Sequence, residues 1–426
     1  MKRLLAAFGV LALTASAAQA ETIRILMETV PDTRYIQDLL PQFTAETGIE
    51  VEIEAISYID MHSKLVPQLL APQGSYDAIV VDFYWVGEFS KAGWLMPLDD
   101  LIAQDGVDTG AYVPAMMDLV GKVDDVTLML PFYNYSMAVI YRTDLIEDPA
   151  EQAAFETKYG IPLQVPQTWD EYWKQVEFFT RDNDGDGERD LYGTVIQGQR
   201  GDCISMQWSN FLYSQGGQYN DENWNPTLNS PEGVAAMDAY REAVLKYSPP
   251  GSESFCFDEA FNVMAQGRAY SFVTFNILYA SFEDPESSTV AGKVGITPNP
   301  GGGLNGAWGW AIPNSSPDKD AAWTFIKWVE SYEIAKARAM AGGAPTQTAI
   351  FNDPDVVAAR PYYPVLGDIL AGAQPFPVFT YTTELVEEMG RELNLAATGE
   401  KGSQEALDDA AAAFHKLLVK DGKLEE

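Results

Sequence analysis

The chain has 426 residues, of which 46% are hydrophobic, enough to bury the cores of two or more lobes. Its 62 Asp and Glu residues outnumber its 27 Lys and Arg residues, so the formal net charge is -35. A field of that sign repels nucleic acids and anionic membrane surfaces, and we expect neither as a partner.

The first twenty residues are typical of a cleavable secretory signal. A basic start precedes an apolar run from Leu4 to Leu13, and small residues end the segment at Ala20. The run is shorter than the roughly 20 residues that cross a bilayer, although an uncleaved anchor helix is the alternative. We therefore expect residues 1–20 to be removed and the mature protein to diffuse freely in the periplasm. Because there is no pool of ATP or nicotinamide cofactors outside the cytoplasm, this location argues against catalysis that depends on them.

The segment after the signal predicts alternating strands and helices. An alternating strand occupies 22–27, and apolar residues recur at helical spacing between Tyr35 and Phe43. A strand at 51–55, a helix at 61–70 and a continuous apolar strand at 76–82 follow. This order predicts a doubly wound α/β lobe.

In such a sheet, ligands bind beyond the carboxyl ends of the strands. Glu28 follows the first predicted strand, whereas Asp82 ends the third and Trp85 lies just beyond it. These three residues are therefore candidates for ligand binding.

Later segments predict further elements of the same kind. Residues 128–142 form an extended apolar stretch, and the pair Thr168 and Glu171 has the spacing of a capping box that begins a helix. A Pro- and Gly-rich stretch at 297–303 is typical of a crossing between lobes. Additional helices are predicted at 231–247, 258–266, 319–341 and 384–395.

A short acidic loop has the spacing of a calcium site. Carboxylates stand at positions 1, 3, 5 and 9 of an EF-hand-like pattern, with Gly187 at position 6 and no acid at position 12. The interpretation is a structural Ca²⁺ site, and the alternative is an acidic surface turn. The predicted ligands are Asp182, Asp184, Asp186, Glu188 and Asp190.

The only two cysteines are Cys203 and Cys256. In an oxidising compartment an even pair is more often bridged than free, so we predict a disulfide, with two buried thiols as the alternative. The two histidines lie far from both cysteines in the sequence, which argues against a catalytic cysteine.

Several aromatic residues occur beside polar ones in loop-like settings, as in Tyr133-Asn134 and Trp308-Gly309-Trp310. An aromatic face covers the C–H face of a sugar ring, while carboxylate and amide groups satisfy its hydroxyls. Core packing explains each ring taken singly, but their recurrence favours a carbohydrate or polyol ligand.

Together these segments resemble the bacterial extracellular solute-binding proteins of ABC sugar importers, the family that contains the maltose-binding protein. The resemblance spans nearly the whole mature chain. It rests on residues 43–51, 76–79, 92–99, 261–269, 307–312 and 321–326.

The resemblance implies an α/β, two-lobed periplasmic binding protein fold with a ligand cleft between the lobes, which closes by hinge motion. Lobe 1 would comprise residues 21–141 and 301–343, and lobe 2 residues 142–300 and 344–426. The family's ligand contacts map onto Glu28, Asp82, Trp85, Tyr133, Asn134, Arg200, Trp208, Asn276, Trp308, Trp310 and Gly343.

The function that follows is a non-enzymatic receptor, expected to be monomeric, that delivers a sugar, polyol or short glycoside to a membrane permease. Two alternatives remain: a secreted glycoside hydrolase, because acidic pairs beside aromatic rings also serve such enzymes, and a binding protein for a solute such as a polyamine.

Overall fold

The structure, a computed structural model, describes residues 21–123 and 125–425. The predicted secretory signal, residues 1–20, lies outside the described residues. The chain forms two α/β lobes, each built on its own sheet, as the sequence predicts. Among the residues described, no helix combines the length and the apolar character that a bilayer crossing requires.

The strands occur in both halves of the chain. Within the described residues they are β1 (Thr22–Glu28), β2 (Glu50–Ile56), β3 (Ala78–Asp82), β4 (Lys122–Val123), β5 (Val126–Thr127), β6 (Leu130–Asn134), β7 (Met137–Arg142), β8 (Ser271–Phe275), β9 (Val294–Pro298) and β10 (Ala307–Ala311). β4 and β5 form a separate two-stranded hairpin.

Helices cover the sheets and form most of the carboxyl-terminal third. Those in the first half of the chain are α1 (Pro31–Thr47), α2 (Tyr58–Leu70), α3 (Val86–Lys91), α4 (Asp99–Asp105), α5 (Pro114–Met116), α6 (Thr143–Ile146), α7 (Pro149–Tyr159), α8 (Trp169–Phe179) and α9 (Asp202–Ser214). Those in the second half are α10 (Pro231–Glu242), α11 (Phe257–Ala265), α12 (Leu278–Phe282), α13 (Lys319–Val329), α14 (Tyr332–Ala341), α15 (Pro354–Ala359), α16 (Tyr363–Ala371), α17 (Thr382–Thr398) and α18 (Ser403–Asp421).

The sheet of lobe 1 has the strand order β2-β1-β3-β10-β6. β1 runs parallel to β2 and β3, so the carboxyl ends of these three strands meet at one edge. β10 enters antiparallel between β3 and β6, although it comes from far later in the chain. β3 is buried along its whole length, which accounts for its continuous apolar sequence.

Lobe 2 contains a three-stranded antiparallel sheet of order β8-β7-β9. β6 belongs to lobe 1 and β7 to lobe 2, so the chain crosses at residues 135–136. The sequence-based division sets this boundary later, at residue 141, because the apolar stretch at 128–142 has no break. The chain crosses back between β9 and β10, within the predicted Pro- and Gly-rich stretch and just beyond it.

The carboxyl-terminal helices are divided between the lobes. α13 and α14 pack against α1 in lobe 1, and α17 packs against α9 and α10 in lobe 2. Between them, α15 contacts α14, and α16 contacts β9. The third passage between the lobes therefore lies between α14 and α17.

Two sequence-based helix predictions have different outcomes. The capping box is confirmed, since the Glu171 amide donates to Thr168 Oγ1 (3.2 Å) and the Thr168 amide donates to Glu171 Oε2 (3.2 Å). The single helix predicted at 319–341 is wrong, because α13 and α14 are separated at Glu330 and Ser331. The Glu330 carboxylate turns into the core, where it accepts hydrogen bonds from Trp310 Nε1 (2.9 Å) and Arg338 (3.0 Å).

The predicted disulfide between Cys203 and Cys256 is present, with a Cα–Cα distance of 5.4 Å and a sequence separation of 53 residues. Cys203 is the second residue of α9, and Cys256 immediately precedes α11. The bridge therefore links the amino termini of α9 and α11, two helices of lobe 2.

We predict that the double substitution C203S/C256S lowers the free energy of unfolding by up to about 4 kcal/mol, because the bridge restricts a long loop in the unfolded chain. Urea unfolding of both proteins, with and without reductant, measures the difference. Reductant should destabilise only the parent protein. Two alkylatable thiols in the unreduced parent protein would contradict the bridge.

Candidate ligand-binding site

The candidate site lies at the carboxyl edge of the lobe 1 sheet, where it faces lobe 2. Glu28 ends β1 and Asp82 ends β3, two neighbouring parallel strands. β10 places Trp308 opposite Asp82 on one side and opposite Tyr133 of β6 on the other. The sheet topology thus brings together four predicted site residues from four separate strands.

Both carboxylates accept hydrogen bonds from tyrosine hydroxyls. Tyr133 donates to Glu28 Oε2 (2.5 Å), and Tyr58 donates to Asp82 Oδ2 (2.8 Å). Tyr135 donates to Asp82 Oδ1. At this edge, tyrosine hydroxyls therefore already donate hydrogen bonds to carboxylates, as the hydroxyls of a ligand would.

Aromatic rings form the wall of the same region. Trp85 stacks on Tyr58 with ring centroids 5.7 Å apart, and Trp308 meets Trp85 edge to face at 5.3 Å. Tyr133 lies parallel to Trp308, with centroids 5.9 Å apart. A planar apolar ligand face can stack on such a wall.

A hydrogen-bonded pair of asparagines joins lobe 2 to lobe 1 beside this edge. Asn276, which follows β8, donates from Nδ2 to Asn134 Oδ1 (2.8 Å), and Asn134 Nδ2 donates to the carbonyl of Pro345 (2.6 Å). A cavity of about 10 Å³ lies beside Asn276 and is also lined by Gly343 and Tyr362. That volume accommodates about one water molecule, so the two lobes are in close contact here.

The packing around Gly343 leaves no room for a side chain at this position. A Cβ atom at this position would lie 2.6 Å from Asp32 Oδ1. Asp32 is buried at the start of α1, and its Oδ2 accepts a hydrogen bond from the Ala344 amide (3.2 Å). Asp32 therefore holds the segment that lines the cavity.

Three of the predicted site residues lie apart from this group. Trp310 lies opposite Val80, two residues further from the carboxyl edge than Trp308, and there it donates to Glu330 and packs against Phe325. Trp208 is fully buried within α9, with its edge against the Tyr219 ring. Arg200 is exposed in the loop before α9.

Sequence reasoning missed three residues that the fold brings to the cleft: Tyr58, Tyr135 and Asp202. Tyr58 begins α2, two residues beyond the end of β2, so the strand-end argument that selects Glu28 could also have found it. Asp202 begins α9 in lobe 2 and faces the Tyr58 hydroxyl across the cleft. No signal in the sequence relates Asp202 to lobe 1.

Burial dominates the electrostatics of the cleft. It raises the pKa of Glu28 to about 7 and that of Asp82 to about 8, although the tyrosine hydrogen bonds oppose both shifts. The pKa of Asp202 rises to about 6 through burial and the nearby Glu387 carboxylate. Within the described part of the chain, no basic side chain bonds to these three groups.

The acidic loop in lobe 2 lies at the surface. Carboxylate oxygens of Asp182, Asp184 and Asp190 lie within 4.8 Å of one another, which suits a shared cation. Asp186 is not part of this group, and its Oδ1 accepts a hydrogen bond from the Glu188 amide (2.8 Å). Backbone amides of the loop also donate to Asp182 and lower the pKa of its carboxyl.

Comparison with known proteins identifies the family. Residues 28–336 match the family described as bacterial extracellular solute-binding protein. The mannitol-binding protein of Pseudomonas aeruginosa is 25% identical to this chain over 97% of it and 96% of that protein. The probable amino-acid ABC transporter periplasmic-binding protein y4oP of Sinorhizobium fredii is 23% identical over 95% of this chain and 91% of that protein.

A similar solved structure is that of an ABC transporter solute-binding protein from Agrobacterium radiobacter K84 in complex with ribitol. It has a TM-score of 0.81 and 26% identity, and the match covers 93% of this chain and 98% of that one. The chain therefore belongs to the bacterial extracellular solute-binding proteins and has their two-lobed α/β fold.

Proposed function

We propose that this protein binds a sugar, a sugar alcohol or a short glycoside between its lobes and delivers it to the permease of an ABC importer. The observation that carries the proposal is the meeting of Glu28 and Asp82 with the rings of Trp85 and Trp308 at one sheet edge. The rings would cover the C–H face of the ligand, and the carboxylates would accept its hydroxyls.

The comparisons support this ligand class. One relative is named for mannitol, and a similar solved structure contains ribitol, which are both acyclic polyols. Membership of an extracellular family also supports a periplasmic location, for which residues 1–20 would supply the export signal. We propose a freely diffusing monomer that docks on the permease after the lobes close.

The proposal favours binding over hydrolysis. The relatives are named as binding proteins, and a hydrolase needs one carboxyl as acid and another as base or nucleophile. Glu28 and Asp82 instead both accept hydrogen bonds from tyrosine hydroxyls of lobe 1. Release of product from aryl glycosides by the purified protein would contradict the proposal.

We predict that Trp308→Ala weakens binding at least tenfold, because it removes the ring that touches both Trp85 and Tyr133. The ligand is the member of a panel of sugars and sugar alcohols, amino derivatives included, that raises the melting temperature most. Isothermal titration calorimetry gives the dissociation constants.

Trp169→Ala is the matched control, since Trp169 is a partly buried tryptophan at the start of α8 in lobe 2. It should leave the affinity unchanged, and Trp308→Phe should restore part of it. Unchanged affinity in folded Trp308→Ala would remove Trp308 from the site. A response only to peptides or polyamines would contradict the ligand class.

We also propose that the acidic loop binds Ca²⁺ as a structural ion. Support comes from the convergence of Asp182, Asp184 and Asp190, because clustered carboxylates repel one another unless a cation lies between them. Of the other two predicted ligands, Glu188 would contribute its backbone carbonyl, as position 7 of an EF-hand does, and the Asp186 side chain would turn towards the ion when it binds.

We predict that chelator-treated protein binds one Ca²⁺ in calorimetry and that Ca²⁺ raises its melting temperature by a few degrees, since a ligand that binds only the folded state stabilises it. Asp190→Asn should abolish both effects. Asp100→Asn, at an exposed position of α4 outside the loop, is the control and should retain them. Absence of heat and of any shift with the parent protein would reject the site.

A further inference from the structure

The cleft is acidic on both sides. Glu28 and Asp82 come from lobe 1, and Asp202 faces them from lobe 2. None of the three forms an ion pair with a basic side chain in the part of the chain that the structure describes. The protein therefore brings three carboxyl groups together without a counter-charge of its own, and burial favours their neutral forms.

The cleft also has unused capacity to accept hydrogen bonds. An ionised carboxylate accepts about four hydrogen bonds, whereas Asp82 receives two and Glu28 receives one, all from tyrosine hydroxyls. The Tyr84 hydroxyl is buried without a partner, and the charges that act on it most are those of Asp202 and nearby tyrosine and aspartate groups. An occupant rich in donors would satisfy these groups.

The walls of the cleft suit a positive charge. The faces of aromatic rings attract cations that lie within about 6 Å of the ring centroid. Tyr58 and Trp85 are stacked, and Trp308 stands edge-on to both of them. The Tyr58 hydroxyl, moreover, lies between Asp82 and Asp202.

We propose that the ligand is a polyhydroxylated molecule that carries a protonated amine, such as an amino sugar or an amino alditol, with its ammonium group beside the Tyr58 hydroxyl and within reach of Asp82 and Asp202. This inference rests on the proposed function, because it narrows the class of hydroxylated ligand. The hydroxyls would bond to Glu28 and Asn276, and the ammonium would supply the counter-charge that the cleft lacks.

The groups around Asp202 agree with this placement. Tyr58, Asp82 and Tyr84 face it from lobe 1, and Glu387 of α17 faces it within lobe 2. All are acidic or neutral. A neutral polyol would leave these carboxyl groups largely protonated, whereas an ammonium group favours their ionised forms and pairs with them.

Matched ligand pairs test the inference. Sorbitol and 1-amino-1-deoxysorbitol differ by one hydroxyl replaced with an ammonium group, and glucose and glucosamine form a cyclic pair. We predict that the amine of at least one pair binds at least tenfold more tightly than its neutral partner in calorimetry. Equal or weaker binding of the amines, with the neutral partners still bound, would overturn the inference and leave the proposed function standing. If no member of either pair binds, the same comparison is made with the tightest-binding neutral ligand of the panel and its amino derivative; if nothing in the panel binds, both the inference and the proposed function fail.

Asp202→Asn separates a charge effect from a change of shape. The variant should lose at least tenfold in affinity for the bound amine, while its affinity for the neutral partner changes less than threefold. Asp100→Asn, at an exposed position of α4, is the control and should affect neither. An equal loss for both ligands would contradict the charge pairing.

The pH dependence supplies an independent test. Burial raises the pKa of Asp82 to about 8 and that of Asp202 to about 6, so in the free cleft Asp82 is largely protonated at pH 7 and Asp202 is partly protonated at pH 6. An ammonium ligand favours the ionised forms and releases protons on binding. Affinity for 1-amino-1-deoxysorbitol, a terminal alkylamine that stays protonated over this range, should therefore rise between pH 6 and 8, by up to about tenfold per unit for each proton released, and level off above pH 8. Affinity that stays flat or falls over this range would overturn the inference.

Discussion

The cleft depends on two carboxylates that the lobe 1 sheet withdraws from water. Glu28 and Asp82 terminate neighbouring parallel strands, so the topology places both at the same edge. A buried carboxylate is tolerated only where donors surround it. The Tyr133 hydroxyl donates to Glu28, and the Tyr58 hydroxyl donates to Asp82. The rings of the same two tyrosines pack against Trp308 and Trp85 in the aromatic wall on which a ligand would stack.

The two lobes are coupled through the segments that cross between them. Asn134 lies at the end of β6, where the chain leaves lobe 1, and it bonds both Asn276 of lobe 2 and the Pro345 carbonyl of the third crossing. A hinge motion that separates the lobes has to break or carry along these bonds. Asn134 thus joins the candidate site to the crossing segments, and the disulfide at the start of α9 lies next to Asp202 on the opposite side.

Local patterns in the sequence were sufficient for the first three strands of lobe 1 and for Glu28 and Asp82, because strand ends follow from alternation and length. They were insufficient wherever a distant contact decides the outcome. Asp202 reaches the cleft only because lobe 2 folds against lobe 1. Trp310 lies opposite Val80, away from the carboxyl edge, where its indole bonds to Glu330, and the same buried Glu330 lies at the break in what apolar spacing predicts as one helix.

The most direct test of this account is a crystal structure of the protein with the tightest-binding ligand of the panel. The account predicts one ligand between the lobes, with its polar groups within about 3.2 Å of Glu28 and Asp82 and an apolar face against Trp85 or Trp308. A ligand bound elsewhere, or one in the cleft without contact to either carboxylate, would contradict it.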